Sequence, residues 1–336
     1  MRAIGVDLHK TMFQICALTG KKKEFKRYHM SEIESFKRTL RRDDSVAVEA
    51  TGNSRYFAKQ ITGLVKEIKI VNPRKFKIIS ESVKKTDKID AELLAFFLSK
   101  GMLPEVRMNA EKYSQVKSLC NTRDKLVKLR TTLKNKIHNI LNSHGILSKR
   151  EDFSSIKGLE RVKEYNVNEM SRIELEVIIE QIKHLNEGIK KLEEEMVDKG
   201  KKLKGFENIT SIKGIGAKGG TTLLSIIGNI EDFTDAKKLA AYFGLVPKVE
   251  DSNEKIRHGR ITKRGSSLGR STLVQCTLIA IRYSDYLRNY YDRLKTKKGS
   301  GKAIIATSRK LLGIIYQTLK EDWIFEDFPN FVIKKA

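Results

Sequence analysis

The chain is 336 residues long and 40% hydrophobic, with 67 Lys and Arg against 41 Asp and Glu, a formal charge of +26. That length and apolar content exclude a disordered chain and suit roughly two domains with their own cores, while the charge points to a polyanionic partner, nucleic acid before a membrane surface. No apolar run reaches the roughly 20 residues that span a bilayer, and Asp7 breaks the stretch an export signal would keep apolar. A soluble, cytoplasmic protein is expected. Cys16, Cys120 and Cys276 are too scattered for a disulfide framework or a CxxC zinc site and suit a reducing compartment.

In chain order, Ile4, Val6 and Leu8 alternate with small or polar residues and Phe13, Ile15 and Ala17 alternate again, which predicts a β-hairpin over 3–18. A third strand is expected near Phe25 to His29, then a helix capped by Ser31 and running to Leu40. Val46 to Glu49 reads as a short buried strand, Asn53 to Leu64 as a helix, and Ile68 to Val71 as a strand. Pro73 opens a further helix, and Asp87 to Ser99 is another. Antiparallel strands followed by alternating helices and strands predict a mixed α/β layer fold for a domain over 1–110.

Residues 111–204 contain no proline and are helical by period, forming a second region. Leu119, Leu126, Leu133 and Ile140 recur every seven, although Arg123 and Arg130 interrupt the companion seam of Val116 and Ile137. Leu175, Ile178, Ile182, Leu185, Ile189, Leu192 and Met196 step by three and four without a gap. A coiled coil that joins subunits is expected, since such a seam would otherwise face water; two amphipathic helices packed within one chain are the alternative.

The third region, 205–336, is mainly helical. Ile212-Lys213-Gly214-Ile215-Gly216 is a glycine-bearing turn between short helices, similar to a helix-hairpin-helix, a turn that can offer backbone N–H groups to phosphate. Between Lys255 and Lys310 lie 15 Lys or Arg against Asp285 and Asp292, an excess of 13 that is half the net charge. Lys213, Arg257, Arg260, Lys263, Arg264 and Arg270 are the expected nucleic-acid contacts. Tyr283, Tyr286, Tyr290 and Tyr291 would either stack on bases or line one side of a packed helix.

Four acids stand out against this basic background. Asp7 lies in the first strand, Glu49 closes Val46-Ala47-Val48, and Asp87 and Asp90 share one face of a helix start, where Asp87 at N-cap is the plainer explanation. Taken together, this strand order can carry all four to one rim. Carboxylates about 4 Å apart repel by roughly 4 kcal/mol at an effective dielectric of 20, so the group calls for a cation. Oxygen-only ligands select Mg²⁺, with Mn²⁺ possible.

Gly5-Val6-Asp7-Leu8-His9-Lys10, Glu49-Ala50-Thr51-Gly52 and Lys85-Thr86-Asp87-Lys88-Ile89-Asp90-Ala91 resemble the three blocks of the IS-one-ten (DEDD transposase) family of bacterial insertion sequences. Ile212 to Gly216, Gly244-Leu245-Val246-Pro247 and Ile261-Thr262-Lys263-Arg264-Gly265 resemble its second region in the same order. The resemblance implies an RNase H-like, RuvC-like first domain and a C-terminal transposase domain carrying a serine nucleophile. It also implies an oligomer, a dimer or tetramer, guided on DNA by a structured bridge RNA. The matching serine is Ser252, with Asn253 in place of the usual glycine and with Ser266, Ser267 and Ser271 as rivals. Asp7, Glu49, Asp87, Asp90 and Ser252 are then the catalytic set, joining DNA through a phosphoserine. The histidines, His9 and His258 among them, are isolated in sequence and assigned no role. A water-using nuclease or junction resolvase and a non-catalytic nucleic-acid scaffold are the rival functions.

Overall fold

The computed structural model describes residues 2–73, 75–76, 86–252 and 255–325, with backbone alone for 249–252 and 255–258. The chain divides into two compact units, Met1–Met108 and Asn109–Ala336.

The first unit is built on five strands, β1 (Ala3–Leu8), β2 (Met12–Thr19), β3 (Lys22–His29), β4 (Ser45–Glu49) and β5 (Glu67–Val71), in the order β3-β2-β1-β4-β5. The first three pair antiparallel, and β4 and β5 are parallel additions beside β1. Every residue of β1 is buried, because the sheet is covered on both faces. Ile4, Val6, Leu8, Phe13 and Ile15 pack with Phe36 of α1 (Ile33–Lys37) and Phe57 and Ile61 of α2 (Ser54–Ile61). On the opposite face Ala3 and Ala47 meet Leu94 and Leu98 of α3 (Asp87–Ser99), while Cys16 and Leu18 meet Ala91 and Ala95.

The expected strands are present, and the helix starts differ. His29, not Ser31, caps the turn that leads into α1, and α1 ends at Lys37 because Arg38 to Leu40 turn back on Glu34, Phe36 and Lys37 carbonyls. Asn53 precedes α2 without capping it. The helix expected to open at Pro73 falls largely outside the described residues; of those described, Lys75 and Phe76 donate their N–H groups to the Asn72 carbonyl.

The second unit opens on a helical hairpin of α4 (Glu111–Ser143) and α6 (Glu169–Lys201), joined through α5 (Ile156–Arg161). The helical stretch is thus broken over 144–168, where Phe153, Leu159 and Val162 cap the tip of the hairpin. The α6 seam is covered by its own chain. Leu175, Ile178 and Ile182 pack on Ile137, Ile140 and Leu141 of α4, and Met196 joins Cys120 and Val116 in the core of the unit. The arginines that interrupt the α4 seam are paired across the hairpin, Arg123 with Glu193 and Arg130 with Asn186 at 2.8 Å. Those pairings run antiparallel and explain how charged side chains sit at seam positions without an unpaired cost.

The rest of the unit is α7 (Phe206–Ser211), α8 (Ala217–Ile227), α9 (Ala236–Tyr242), the ribbon β6 (Pro247–Ser252) and β7 (Lys255–Ile261), then α10 (Ser267–Tyr283), α11 (Asp285–Lys298) and α12 (Ser300–Lys320). Leu223, Leu224, Ile226 and Ile227 of α8 sit at its centre, with Leu273 and Ala280 of α10 and Leu311, Leu312 and Ile315 of α12 around them.

Candidate active site

The acidic rim begins with a glycine. A Cβ on Gly5 would stand 2.0 Å from the Ala91 carbonyl oxygen and 2.4 Å from the Ala95 nitrogen. Only glycine lets α3 lie this close on β1, and the helix start is thereby carried to the strand end. Side chains two apart on a strand share a face, so Asp7 and then His9 follow Gly5 toward the first turn of α3.

Thr86, not Asp87, is the N-cap of α3, its hydroxyl accepting from the Ile89 N–H at 3.3 Å. Asp87 is thus the first helical residue, with its carboxylate 3.5 Å from His9 Nε2 and 3.3 Å from Arg27 Nη2. Asp7 Oδ2 is 3.2 Å from the same His9 nitrogen. One ligand atom from each of Asp7, His9 and Asp87 falls within 4.8 Å of the others. Asp7 is 7% exposed, a position at which a carboxylate is costly unless its charge is met.

Asp90 is one turn further along α3 and 6% exposed, and Glu49 is half-buried at the end of β4, one step beyond the Val6/Val48 pair of the parallel register. Glu49 is on the sheet face that α3 covers and Asp90 is on α3 itself, but neither belongs to the group of three. Composition and spacing passed over His9, although the alternation Gly5, Asp7, His9 was there to be read. A divalent ion fits the donor set, since two carboxylates and an imidazole offer lone pairs to one point.

Ser252 ends β6 and is paired in register with Lys255, so it sits at the tip of the ribbon. Asn253 lies outside the described residues. The ribbon is rooted where two family blocks cross. Lys263 N–H donates to the Gly244 carbonyl and Thr262 N–H to that of Val246, and a Cβ on Gly265 would lie 2.1 Å from the Tyr242 oxygen. Arg270 Nη1 donates to the carbonyls of Gly265 and Phe243, holding this crossing. Ser266 caps α10 by accepting from the Gly269 N–H, and Ser271 donates to the Leu268 carbonyl.

Lys213, Arg260, Lys263 and Arg264 are exposed, and the Arg257 side chain lies outside the described residues. Lys310 Nζ lies over the rings of Tyr286 and Tyr290 at 3.9 and 4.2 Å, so these tyrosines serve packing, while Tyr283 is exposed. All three cysteines are buried free thiols. Burial pushes Cys16 and Cys276 up to about 11 and raises Cys120, which excludes them as thiolate nucleophiles near neutral pH. A cavity of about 990 Å³ in the second unit, lined by Cys120, Gly216, Thr272 and Cys276, contains none of the four acids.

Two family descriptions match in the order of the blocks: a DEDD transposase description of the IS110 type over residues 4–146, and "Transposase IS116/IS110/IS902 family" over residues 206–292. The chain belongs to the IS110 family of transposases. It is similar to the transposase for insertion sequence element IS1111A of Coxiella burnetii, 26% identical across 95% of this chain and 90% of that protein. The transposase for insertion sequence element IS1328 of Yersinia enterocolitica is 25% identical across 96% and 98%. The pilin gene-inverting protein of Moraxella lacunata is 32% identical over 35% of this chain and 38% of its own length. As an IS110 transposase the protein is a DNA-binding enzyme of the class that cuts and rejoins DNA, and the DEDD match implies use of a divalent metal. No helix among the described residues is long and apolar enough to cross a membrane.

Proposed function

We propose that this transposase exchanges DNA strands with Ser252 as nucleophile and with Asp7, Glu49, Asp87 and Asp90 as the rim that holds Mg²⁺. The observation that carries the proposal is the meeting of Asp7 and Asp87 under a helix laid on Gly5. The strand order β3-β2-β1-β4-β5 with its antiparallel and parallel halves supports an RNase H-like, RuvC-like first unit. Bound at the rim, Mg²⁺ would supply positive charge against the charge that develops on the scissile phosphate. Asp7 and Asp87 would hold it from β1 and α3, with the buried Asp90 carboxyl one turn further along α3. Ser252 Oγ loses its proton to solvent and bonds to phosphorus as the bond from phosphorus to the neighbouring sugar oxygen breaks, and that oxygen takes a proton from solvent and leaves as a hydroxyl. Attack by a new sugar hydroxyl on the phosphoserine reverses these steps and rejoins the strand, so the bond energy is kept.

Lys213, Arg260, Lys263 and Arg264 would grip phosphates of the DNA and of a structured guide RNA, and their exposure supports that. The protein would work as a homo-oligomer. With the α6 seam used within the chain, the support moves to Met170, Ile173 and Val177, which are 73%, 54% and 57% exposed and spaced along one side of α6.

The experiment is to trap the reaction on DNA, digest it, and locate the modified residue by mass spectrometry. Phosphoserine at Ser252, absent from Ser252→Ala with DNA binding intact, is the expected result. An adduct at Ser266, Ser267 or Ser271 would move the nucleophile, and cleavage with no adduct would replace it by water. Asp90→Asn should fold and bind DNA without cutting it.

A further inference from the structure

The rim holds a nitrogen donor to which the proposed reaction gives no role. His9 is fixed from both ends: its N–H donates to the Met12 carbonyl, and its own carbonyl accepts from Asn53 Nδ2, both at 2.9 Å. Asn53 Oδ1 in turn accepts from Thr51 Oγ1 at 2.9 Å. The loop after Glu49 thus spends its asparagine on the His9 backbone instead of on capping α2. These bonds fix the backbone of His9, and contacts with Asp7 and Asp87 give its half-exposed ring its place.

That place is set by three atoms. His9 Nε2 is 3.2 Å from Asp7 Oδ2 and 3.5 Å from Asp87 Oδ1. An octahedral ion with bonds of about 2.1 Å puts neighbouring ligands about 3.0 Å apart. The nitrogen is therefore spaced from both oxygens nearly as adjacent corners of one coordination shell. We infer that His9 is a ligand of the cation that Asp7 and Asp87 hold, and that it turns the preference of the site from Mg²⁺ toward Mn²⁺. This rests on the rim being a metal site, as proposed above. Mg²⁺ takes oxygen ligands and gives up its waters reluctantly, whereas an imidazole nitrogen favours ions of the first transition row. An imidazole that merely bridges the two carboxylates would leave the shell of the ion all oxygen.

The test uses the full-length protein and Mn²⁺ alone. Pulsed electron paramagnetic resonance of bound Mn²⁺ should show nuclear coupling from a directly bound nitrogen, and it should change when the histidines carry heavy nitrogen. His9→Gln should lose the coupling, while His184→Gln, at an exposed site on α6, should keep it. Calorimetric affinity for Mn²⁺ should fall at least about tenfold in His9→Gln, the lower end of what even an outer-shell partner is worth, and affinity for Mg²⁺ should fall less. Mn²⁺ bound without nitrogen coupling would overturn the role of His9 and leave the acidic site standing. Wild-type protein that binds no Mn²⁺, or binds it equally after Asp7→Asn, would overturn the metal site itself. The heavy-nitrogen comparison needs no variant, so a misfolded His9→Gln would not shield the inference.

Discussion

Gly5→Ala tests how the rim is assembled. The new methyl would stand 2.0 Å from the Ala91 oxygen, 2.4 Å from the Ala95 nitrogen and 2.8 Å from Leu94 Cβ. A carbon–oxygen contact needs about 3.3 Å, so α3 must retreat by roughly 1.3 Å. Two of the three obstacles are backbone, so no side-chain rotation relieves the clash. Overpacking of this kind costs about 1–3 kcal/mol, which a two-unit protein with cores elsewhere survives. The larger effect is on the site, because Asp87 and Asp90 ride on α3 while Asp7 and His9 stay with β1. A misplacement of about 1 Å can cost on the order of 100-fold in rate. Circular dichroism should therefore show a folded protein melting a few degrees lower, while DNA cleavage drops roughly 100-fold and Mn²⁺ binding weakens with it. Ala91→Gly should not rescue, since the carbonyl it keeps is the obstacle. Cleavage and metal affinity at wild-type levels in Gly5→Ala would refute the account of α3 as the element that brings the acids together.

Ile182, fully buried against α4, should cost about 2–5 kcal/mol when cut to alanine, read by denaturant unfolding. By contrast, Ile173→Glu with Val177→Glu should leave that stability unchanged and disperse the oligomer by mass measurement; an unchanged assembly would place the contact elsewhere. Burial pushes the Glu193 carboxyl up, but its hydrogen bonds to Lys218 and Arg123 prevail and hold it below the ordinary carboxylate range. A depressed folded pKa adds stability that is present above the unfolded value of about 4.3 and lost as pH falls through the folded one. Glu193→Gln should therefore cost about 1 kcal/mol at neutral pH, with the gap closing in acid; a gap constant with pH would show that packing, not charge, is lost. If about 8 phosphates are neutralised, the logarithm of duplex affinity should fall with that of salt at a slope of about −7, flattened by Arg260→Ala with Arg264→Ala.

The sheet was legible because its signals are local. Period-two alternation marks β1 and β2, and the unbroken Val46-Ala47-Val48 marks a strand covered on both faces. The α6 seam was equally plain as a pattern, but a seam states what must be covered and not by what. Its cover is α4, whose own pattern is interrupted by Arg123 and Arg130, and only the pairing with Glu193 and Asn186 shows that those arginines belong there. His9 shows the same boundary in the site. Its face follows from spacing after Asp7, whereas its meeting with Asp87 depends on a helix about eighty residues on, brought close by the missing side chain of Gly5.

Ser252 places a different demand on the fold. A two-stranded ribbon is marginal by itself, and β6 and β7 form a sheet with no other strand among the described residues. Its root is clamped by the close backbone crossing at Gly244 and Gly265, which larger residues would spoil, and by the Arg270 guanidinium donating to the Gly265 and Phe243 carbonyls. The family blocks on either side of the serine are thus the clamp, and the serine itself lies at the far end of the ribbon. In the proposed reaction a nucleophile so placed would gain its alignment from what the ribbon grips, through Arg260, Lys263 and Arg264 at and just beyond the root. Binding energy on the phosphates would then be spent on ordering the attacking oxygen, the use of remote contacts that raises turnover more than affinity. It would also keep Ser252 idle toward DNA that these arginines and lysine do not hold, which suits an enzyme whose misplaced cuts would be made in its host.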